Sequence, residues 1–144
     1  MQQSIIRTSV IFATIAALTA CGSDSTSPAN TVAGTYTATE FVTTGGSGQT
    51  NQILAGSTLV IVLAANHTTT GHLHLVAQGG NPAFDADMAG TWDLNGTMVT
   101  FTQNADTFVR DMNFTLSSNG NVFLLSGDDS FAGTRIQVTL TQGV

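Results

Sequence analysis

The segment GTWDLNGTMVTF, residues 90–101, carries the dipeptide Asn95-Gly96 between two runs in which apolar and polar residues alternate. A two-residue turn of type I′ needs positive φ at both central positions, and Asn-Gly is a preferred sequence for it. Counting outward from this turn gives three cross-strand pairs on one face: Leu94 with Thr97, Trp92 with Val99, and Gly90 with Phe101. The opposite face carries mostly threonine and aspartate. The segment therefore predicts an antiparallel hairpin with one buried face and one face in water.

The segment FVRDMNFTLSSNGNVFLLSGDD, residues 108–129, repeats this arrangement around Asn119-Gly120. The same counting gives a second set of pairs on an apolar face: Leu116 with Phe123, Phe114 with Leu125, and Met112 with Gly127. Two independent turn assignments thus both place bulky side chains on one face, which supports the register of each. On this register Arg110 also lies on the apolar face, opposite Asp129.

The rest of the chain after residue 33 consists of short β-like runs separated by turn residues. We expect four further strands: Gly34–Val42, Thr58–Leu63, Thr69–Val76 and Thr134–Leu140. The glycine-rich residues 43–51 are expected to form the longest flexible loop. With the two hairpins this gives about eight antiparallel strands, the number at which a sheet closes into a small barrel. The sequence predicts an all-β, up-and-down barrel, and an immunoglobulin-type β-sandwich is the alternative.

Two short motifs resemble the lipocalin-like families of the calycin barrels. The opening AGTYTATEF, residues 33–41, has Gly34 and Tyr36 at the places of their Gly-x-aromatic start. The segment MAGTWDLNGTMVTF, residues 88–101, resembles the Gly-x-Trp hairpin of bacterial lipocalin-like domains. The chain departs from true lipocalins at Tyr36, where tryptophan is usual. The resemblance, which spans most of residues 33–142, implies an eight-stranded barrel that often holds a small apolar molecule.

The composition restricts the classes of partner. Charged residues make up 8% of the 144 residues and hydrophobic residues 42%, which fits one folded domain and not a disordered chain. The chain has no lysine, and its net charge is −6 at pH 7. Because the phosphate backbone of a nucleic acid would repel such a chain, we expect no nucleic-acid partner.

Residues 1–20 have the features of a secretory signal peptide, with Arg7 before an apolar run at Val10–Leu18 and small residues at the end. That run is about half the roughly 20 residues that a membrane-spanning helix needs. The tetrapeptide LTAC, residues 18–21, resembles the lipobox of bacterial lipoproteins. The resemblance implies that Cys21 becomes the mature N-terminus and carries a diacylglycerol, usually with a further acyl chain. Two or more chains hold a protein stably at a bilayer.

The segment after this cysteine predicts the domain organisation and the location. Residues 21–32 have the Gly/Ser/Thr/Pro composition of a flexible tether, and residues 33–144 form the barrel domain. Gly22 stands where lipoproteins retained in the inner membrane commonly carry aspartate. By that resemblance we expect a lipid-anchored protein of the cell envelope, in the outer membrane.

Arg110 and Trp92 are the candidate ligand contacts, since both are expected on the apolar face of the barrel. A guanidinium there can receive a ligand carboxylate through two hydrogen bonds. The alternative is a structural ion pair between Arg110 and Asp129, which needs no ligand.

The histidines and acidic residues offer a weak case for a metal site. His72 and His74 lie two residues apart and so share one face of a strand, with His67 nearby. A zinc site needs at least three protein ligands, and Leu73 and Leu75 on the opposite face indicate that the histidines face water. The acidic residues of the turns lack the spacing of a calcium loop: Asp85, Asp87, Asp128 and Asp129. We expect no metal and no cofactor.

The inventory for catalysis is poor, since the chain has no lysine, one glutamate (Glu40) and no G-x-S-x-G elbow. We therefore expect a non-enzymatic envelope lipoprotein whose barrel binds a small apolar ligand. The alternative is a structural or protein-interaction lipoprotein whose barrel is packed solid. Five aromatic residues are large enough to fill a small barrel: Trp92, Phe101, Phe108, Phe114 and Phe123.

The lipobox makes a direct prediction about Cys21. Replacing it by alanine removes the thiol that accepts the lipid, so the Cys21→Ala protein should stay an unprocessed, unacylated precursor. Metabolic labelling with palmitate and the mass of the purified chain measure this. Palmitate found on the Cys21→Ala protein would contradict the assignment.

Overall fold

A computed structural model describes residues 28–143 of the chain. The predicted signal peptide, Cys21 and most of the predicted tether lie outside the described residues. Within residues 28–143, no helix is long and apolar enough to cross a membrane.

The described chain consists of ten strands and three short helices. The strands are β1 (Gly34–Gly45), β2 (Gly48–Asn51), β3 (Thr58–Leu63), β4 (Thr68–Leu75), β5 (Phe84–Asp87), β6 (Gly90–Asn95), β7 (Met98–Gln103), β8 (Phe114–Asn119), β9 (Val122–Phe131) and β10 (Thr134–Gln142). The helices are α1 (Pro28–Val32), α2 (Gln52–Ala55) and α3 (Phe108–Asp111).

Eight of the strands close into an antiparallel barrel in the order β1-β3-β4-β6-β7-β8-β9-β10, and β10 pairs back onto β1. Strand β2 extends β1 as a hairpin, and β5 pairs with β4. Neighbours in the barrel follow one another along the chain, so the predicted up-and-down barrel is confirmed and the sandwich is excluded. We call the end formed by the end of β1, the start of β3, the end of β4 and the start of β10 the rim, and the opposite end the base.

The interior of the barrel is filled by apolar side chains that alternate along the strands. They form one buried cluster that includes the inward residues of every barrel strand. Phe101 and Phe114 meet edge to face, with ring centroids 5.5 Å apart, a favourable arrangement of aromatic quadrupoles. The largest side chains exposed by less than 2% are Tyr36, Phe41, Phe114, Leu59, Ile61, Leu63, Leu73, Met88, Met112, Leu125, Leu140 and Val99.

Helix α1 closes the base of the barrel. Its residues Ala29 and Val32 are buried in the core, and the hydroxyl of Tyr36 donates a hydrogen bond of 2.7 Å to the Val32 carbonyl oxygen. Burial raises the pKa of Tyr36 to about 12, since the low-dielectric interior disfavours the phenolate. Residues 28–32, which were predicted as part of the tether, thus pack against the barrel as helix α1.

Both Asn-Gly hairpins form, but with a register different from the predicted one. The central turn residues are Gly96-Thr97 and Gly120-Asn121, so Trp92 pairs with Phe101 and Leu116 with Leu125. In each turn the glycine takes the first central position with positive φ, 63° and 64°, as a type II′ turn requires. Each residue pairs with a partner two positions later in the chain than predicted. Side chains on a strand alternate between its two faces with a period of two. The inward and outward faces are therefore the predicted ones.

Two other segments depart from the sequence-based prediction. Residues 43–51, expected as a flexible loop, form the β1–β2 hairpin, in which Val42 pairs with Asn51. Residues 108–111, expected as strand, form α3, because β7 and β8 share two residue pairs and leave the rim half of β7 without a strand partner on that side. Helix α3 covers this gap, and the ring of its Phe108 packs against Phe41, with centroids 5.4 Å apart.

The β6–β7 pairing makes Gly90 sensitive to any side chain. A Cβ atom there would overlap the Thr102 carbonyl oxygen and lie 2.9 Å from the Gln103 Cα. We expect Gly90→Ala to lower the free energy of unfolding by about 1–3 kcal/mol, the usual cost of overpacking. The control is Gly46→Ala, at a position with no atom within 4 Å of the added Cβ. Equal denaturant midpoints for the two variants would contradict the β6–β7 register.

Candidate functional site

A cavity of about 510 Å³ opens at the rim of the barrel. We call it the rim cavity. Its volume falls within the roughly 300–1,000 Å³ of small-molecule sites. Its apolar lining residues are Leu75, Val76, Pro82, Phe84 and Ile136, and its polar ones are Thr43, Ser47, Thr50, Gln52, Gln78, Asn81 and Thr134. Three glycines, Gly45, Gly48 and Gly79, complete the lining.

Helix α2 supplies the buried polar group of the cavity. Asn51 caps this helix by accepting a hydrogen bond of 3.0 Å from the Leu54 amide, and Gly56 ends it with φ of 103°. Asparagine is a strong N-cap and glycine a preferred C-terminal residue, so the sequence of this turn accounts for the helix. The first helical residue, Gln52, is thereby placed under the β1–β2 hairpin, where it is buried.

The side chain of Gln52 organises a network of hydrogen bonds. Its side-chain nitrogen donates to the Thr43 hydroxyl at 2.8 Å and to the side-chain oxygen Oε1 of Gln78 at 3.3 Å. Its amide oxygen accepts from the Ser57 hydroxyl at 3.1 Å and from the Gln78 amide nitrogen at 3.3 Å. The Ser57 oxygen in turn accepts from the Val76 amide at 3.1 Å. The network joins α2, β1 and the segment after β4 around one side of the cavity.

The apolar side of the cavity comes from β4, β5 and β10. Leu75 and Phe84 are a cross-strand pair of the β4–β5 ladder, and Ile136 belongs to the start of β10. Phe84 is 44% exposed, which is unusual for a ring that could pack against other apolar groups. An exposed ring beside buried amides is a combination that small-molecule sites use, the first for contact area and the second for orientation.

The charge of the lining restricts the ligand. None of the described residues that line the rim cavity is acidic, basic or histidine, although the whole chain carries a net charge of −6. An ion entering the cavity would lose hydration without gaining a charged partner, which is costly. The cavity therefore fits an uncharged molecule with both apolar surface and hydrogen-bonding groups.

The structure does not bring the two predicted ligand contacts together in this cavity. Trp92 is buried in the barrel, and its indole N–H donates to the Ala64 carbonyl oxygen at 2.9 Å. Its ring stacks on His67, with centroids 5.1 Å apart. The single polar side-chain atom of Trp92 thus already has a hydrogen-bond partner within the barrel, near the base.

Arg110 lies on the surface and has different partners from the predicted one. It donates to Asp106 at 2.6 Å and to Asp111 at 2.7 Å, so the predicted pair with Asp129 is wrong. The physical reason is helix α3, which places Arg110 beside its neighbour Asp111 and within reach of Asp106, a residue just before the helix. These bonds from Arg110 lower the pKa of Asp111. The guanidinium is therefore already held by two carboxylates.

The histidines of β4 face the outside, as expected, but they are not merely solvated. His72 contacts Asp87 at 2.8 Å, and His74 contacts Asp85 at 2.7 Å, in each case through Nδ1. Strand β5, which carries both aspartates, was not among the predicted strands. Within residues 28–143, no three or more metal-ligating side chains are arranged to hold a metal ion.

A second, polar groove of about 430 Å³ lies on the outer face of β8, β9, β10 and β1. Arg135 holds Asp128 through two hydrogen bonds, and Gln137 donates to the same carboxylate at 3.2 Å. The bonds from Arg135 lower the pKa of Asp128. Asp129 instead accepts from the Ser130 amide. Two charged residues among those described line this groove: Asp128, which Arg135 holds, and Glu40, whose carboxylate accepts a hydrogen bond of 3.2 Å from the Thr139 hydroxyl.

Comparison with protein-family models, with curated proteins and with solved structures finds no significant match for this chain. Its site is therefore interpreted from its own residues.

The residues that line the rim cavity were not identified from the sequence, because they come from turns and strand ends. One local signal existed for Gln52: the N-cap Asn51 and the terminal Gly56 enclose one helical turn. A capped turn directly after a strand places its first side chain at the end of the barrel. The signal locates the turn but does not indicate a cavity.

The hydrogen-bond network around Gln52 yields a stability prediction. Gln52→Ala leaves the buried Ser57 hydroxyl and the Gln78 amide without this partner, so we expect a loss of about 1–3 kcal/mol in the free energy of unfolding. The control is Gln49→Ala on the exposed strand β2. Urea unfolding measures both variants. An unchanged midpoint for Gln52→Ala would show that the network contributes nothing.

Proposed function

We propose that this protein is a lipid-anchored module of the bacterial envelope whose lipocalin-like barrel binds a small uncharged molecule in the rim cavity. The observation that carries the proposal is the lining of that cavity, which combines an exposed phenyl ring with a buried glutamine network and has no charged residue among the described ones. The ligand we expect has an apolar ring or chain and one or two hydrogen-bonding groups.

The location of the ligand at the rim follows from the packing of the interior. An eight-stranded barrel has just enough interior space for its own side chains or for one small ligand. Here Tyr36, Phe41 and Phe114 are fully buried in that space. A ligand on the barrel axis would have to displace them, whereas the rim cavity accepts one without repacking the core.

The lipocalin-like assignment and the anchor rest on different observations. The closed eight-stranded meander supports the first, together with Gly34 and the buried Tyr36 at the start of β1. The lipobox that ends in Cys21 supports the second, and Gly22 supports an outer-membrane location. Membrane contact through the lipid is the partner interaction we assign.

We propose binding and not catalysis. The rim cavity presents hydroxyl and amide groups to a ligand, and its described lining has no side chain with a pKa suited to proton transfer near neutral pH. Orientation and burial of a ligand need neither an acid nor a base.

A second candidate is a structural or protein-interaction lipoprotein without a small ligand. The filled interior of the barrel favours it. Native mass spectrometry of the full chain separates the two candidates. A co-purifying molecule of a few hundred daltons, lost in a rim-cavity variant, supports binding, and a bare protein mass in every preparation supports the structural role.

Phe84 provides the sharpest test of the rim cavity. The probe is 2-naphthol, a neutral aromatic with one hydroxyl group, measured by equilibrium dialysis against the full chain in nanodiscs with empty nanodiscs subtracted. Phe84→Ser should weaken binding by about tenfold, or about 1.4 kcal/mol, because it removes apolar contact area. Met98→Ser is the matched control, since Met98 is 42% exposed and lies outside the cavity. Equal weakening by both variants would contradict the site.

A further inference from the structure

Two histidines and two aspartates face one another across the outer surface of β4 and β5. The antiparallel register places His72 opposite Asp87 and His74 opposite Asp85. Besides the two short contacts already described, His72 Nε2 lies 3.5 Å from the Asp85 carboxylate. We call these four side chains the His–Asp clasp.

The clasp lies on the strand that forms a wall of the rim cavity. Strand β5 pairs with β4 through four residue pairs, and the pair next to the clasp is Leu75 with Phe84, both of which line the cavity. At its other end β5 is followed by Met88, which is buried in the core and whose amide donates to the Gly71 carbonyl oxygen at 2.9 Å. The strand is thus anchored at Met88, while Phe84 lies at the end farther from that anchor.

The described part of β5 has one strand neighbour, β4. A short edge strand of this kind opens locally at lower free energy than a strand inside the sheet. The side chains that join it to β4 therefore decide how firmly the wall is held. Two of the four residue pairs are His–Asp pairs.

We propose that the His–Asp clasp holds β5 closed when His72 is protonated and releases it as the pH rises, so that protonation regulates the wall of the rim cavity. This proposal rests on the proposed function for its consequence in ligand binding, but the closure of β5 can be measured without a ligand.

The direction of the pH effect follows from the charges. The hydrogen bond to Asp87 raises the pKa of His72, and the hydrogen bond from His74 lowers the pKa of Asp85. A raised histidine pKa stabilises the closed state below the ordinary value of about 6.5, and this stabilisation is lost as the pH rises through the raised value. A lowered carboxyl pKa stabilises the closed state above about 4. The clasp is therefore tightest between about pH 4 and 6.5.

Among residues 28–143, the charged groups that form ion pairs with these histidines are Asp85 and Asp87. On β3 the residues opposite His72 and His74 are Val60 and Thr58. On β6, Thr91 pairs with Thr68 at the far end of β4, and Asp93 lies two residues further toward the base. Among the described residues, the carboxylates of β5 are thus the charges that these histidines meet.

Hydrogen exchange of the full chain at pH 5.5 and 7.5 tests the closure. Protection of peptides covering β5 is expressed relative to the intrinsic exchange rate at each pH. We expect protection to be higher at pH 5.5 by about threefold, in keeping with the modest contribution of exposed ion pairs. The double variant Asp85→Asn/Asp87→Asn should reduce this ratio to about one.

Two further variants make the test specific. His72→Gln/His74→Gln keeps hydrogen-bonding groups but cannot be protonated, so it should also give a ratio of about one. Asp128→Asn removes a carboxylate paired with Arg135 and not with histidine, so it should keep the ratio of the parent. Equal protection of β5 at both pH values in the parent, or a ratio that persists in Asp85→Asn/Asp87→Asn, would overturn the proposal.

Binding of 2-naphthol, which stays uncharged at both pH values, separates this proposal from the proposed function. Tighter binding at pH 5.5, lost in His72→Gln/His74→Gln, supports both. No binding at either pH, with β5 protection still pH-dependent, overturns the ligand function and leaves the clasp supported. Binding that is equal at the two pH values overturns the regulation of the cavity.

Discussion

Pairing between β1 and β10 is the constraint on which the rest of the structure depends, because it joins the first and last described strands and leaves neither as an open edge along this seam. The pairing runs from Tyr36 opposite Gln142 to Thr44 opposite Arg135, with one shift in register between Ala38 and Glu40. Helix α1 closes the base only because β1 is held there. The rim cavity also depends on this seam, since the β1–β2 hairpin and the start of β10 both contribute to its lining.

The closed barrel is not uniformly paired, and one of its two shortest strand pairings, β4 with β6, lies next to the strand β5 that lines the rim cavity. Strands β4 and β6 share two residue pairs, as do β7 and β8, whereas β9 and β10 share eight. In the rim half, β5 takes the place of β6 beside β4, and α3 takes the place of β8 beside β7. Strands must tilt and stagger to close a barrel, so strands of unequal length leave such gaps at one end. The base has the opposite character, because Val32, Tyr36 and Trp92 pack there without an opening of this kind among the described residues.

The fold could be predicted from the sequence because alternation and turn residues determine which side chains face inward. Trp92, Val99, Phe101 and Phe114 are all buried, as their positions indicated. The register could not be predicted as well, since Asn-Gly fits two turns that differ in which residue takes positive φ. That error did not change which side chains face inward, because the two registers differ by two residues and a strand alternates with a period of two. The error at Arg110 did change the site, because alternation continues through FVRDM while the backbone turns into a helix beside the gap in the wall.

The His–Asp clasp was harder to predict than the fold, because its residue pairs form only when the register aligns β4 with β5. The sequence HLH at residues 72–74 and the sequence DAD at residues 85–87 each look like an isolated polar run. In antiparallel strands, two side chains spaced by two residues meet two others with the same spacing, so these runs are complementary in both spacing and charge. The two described arginines are also paired: Arg135 reaches Asp128 diagonally across β10 and β9, and Arg110 reaches Asp106, four residues before it. Because the lining of the rim cavity carries no charge among the described residues, the binding proposed there requires no ion pair to be broken.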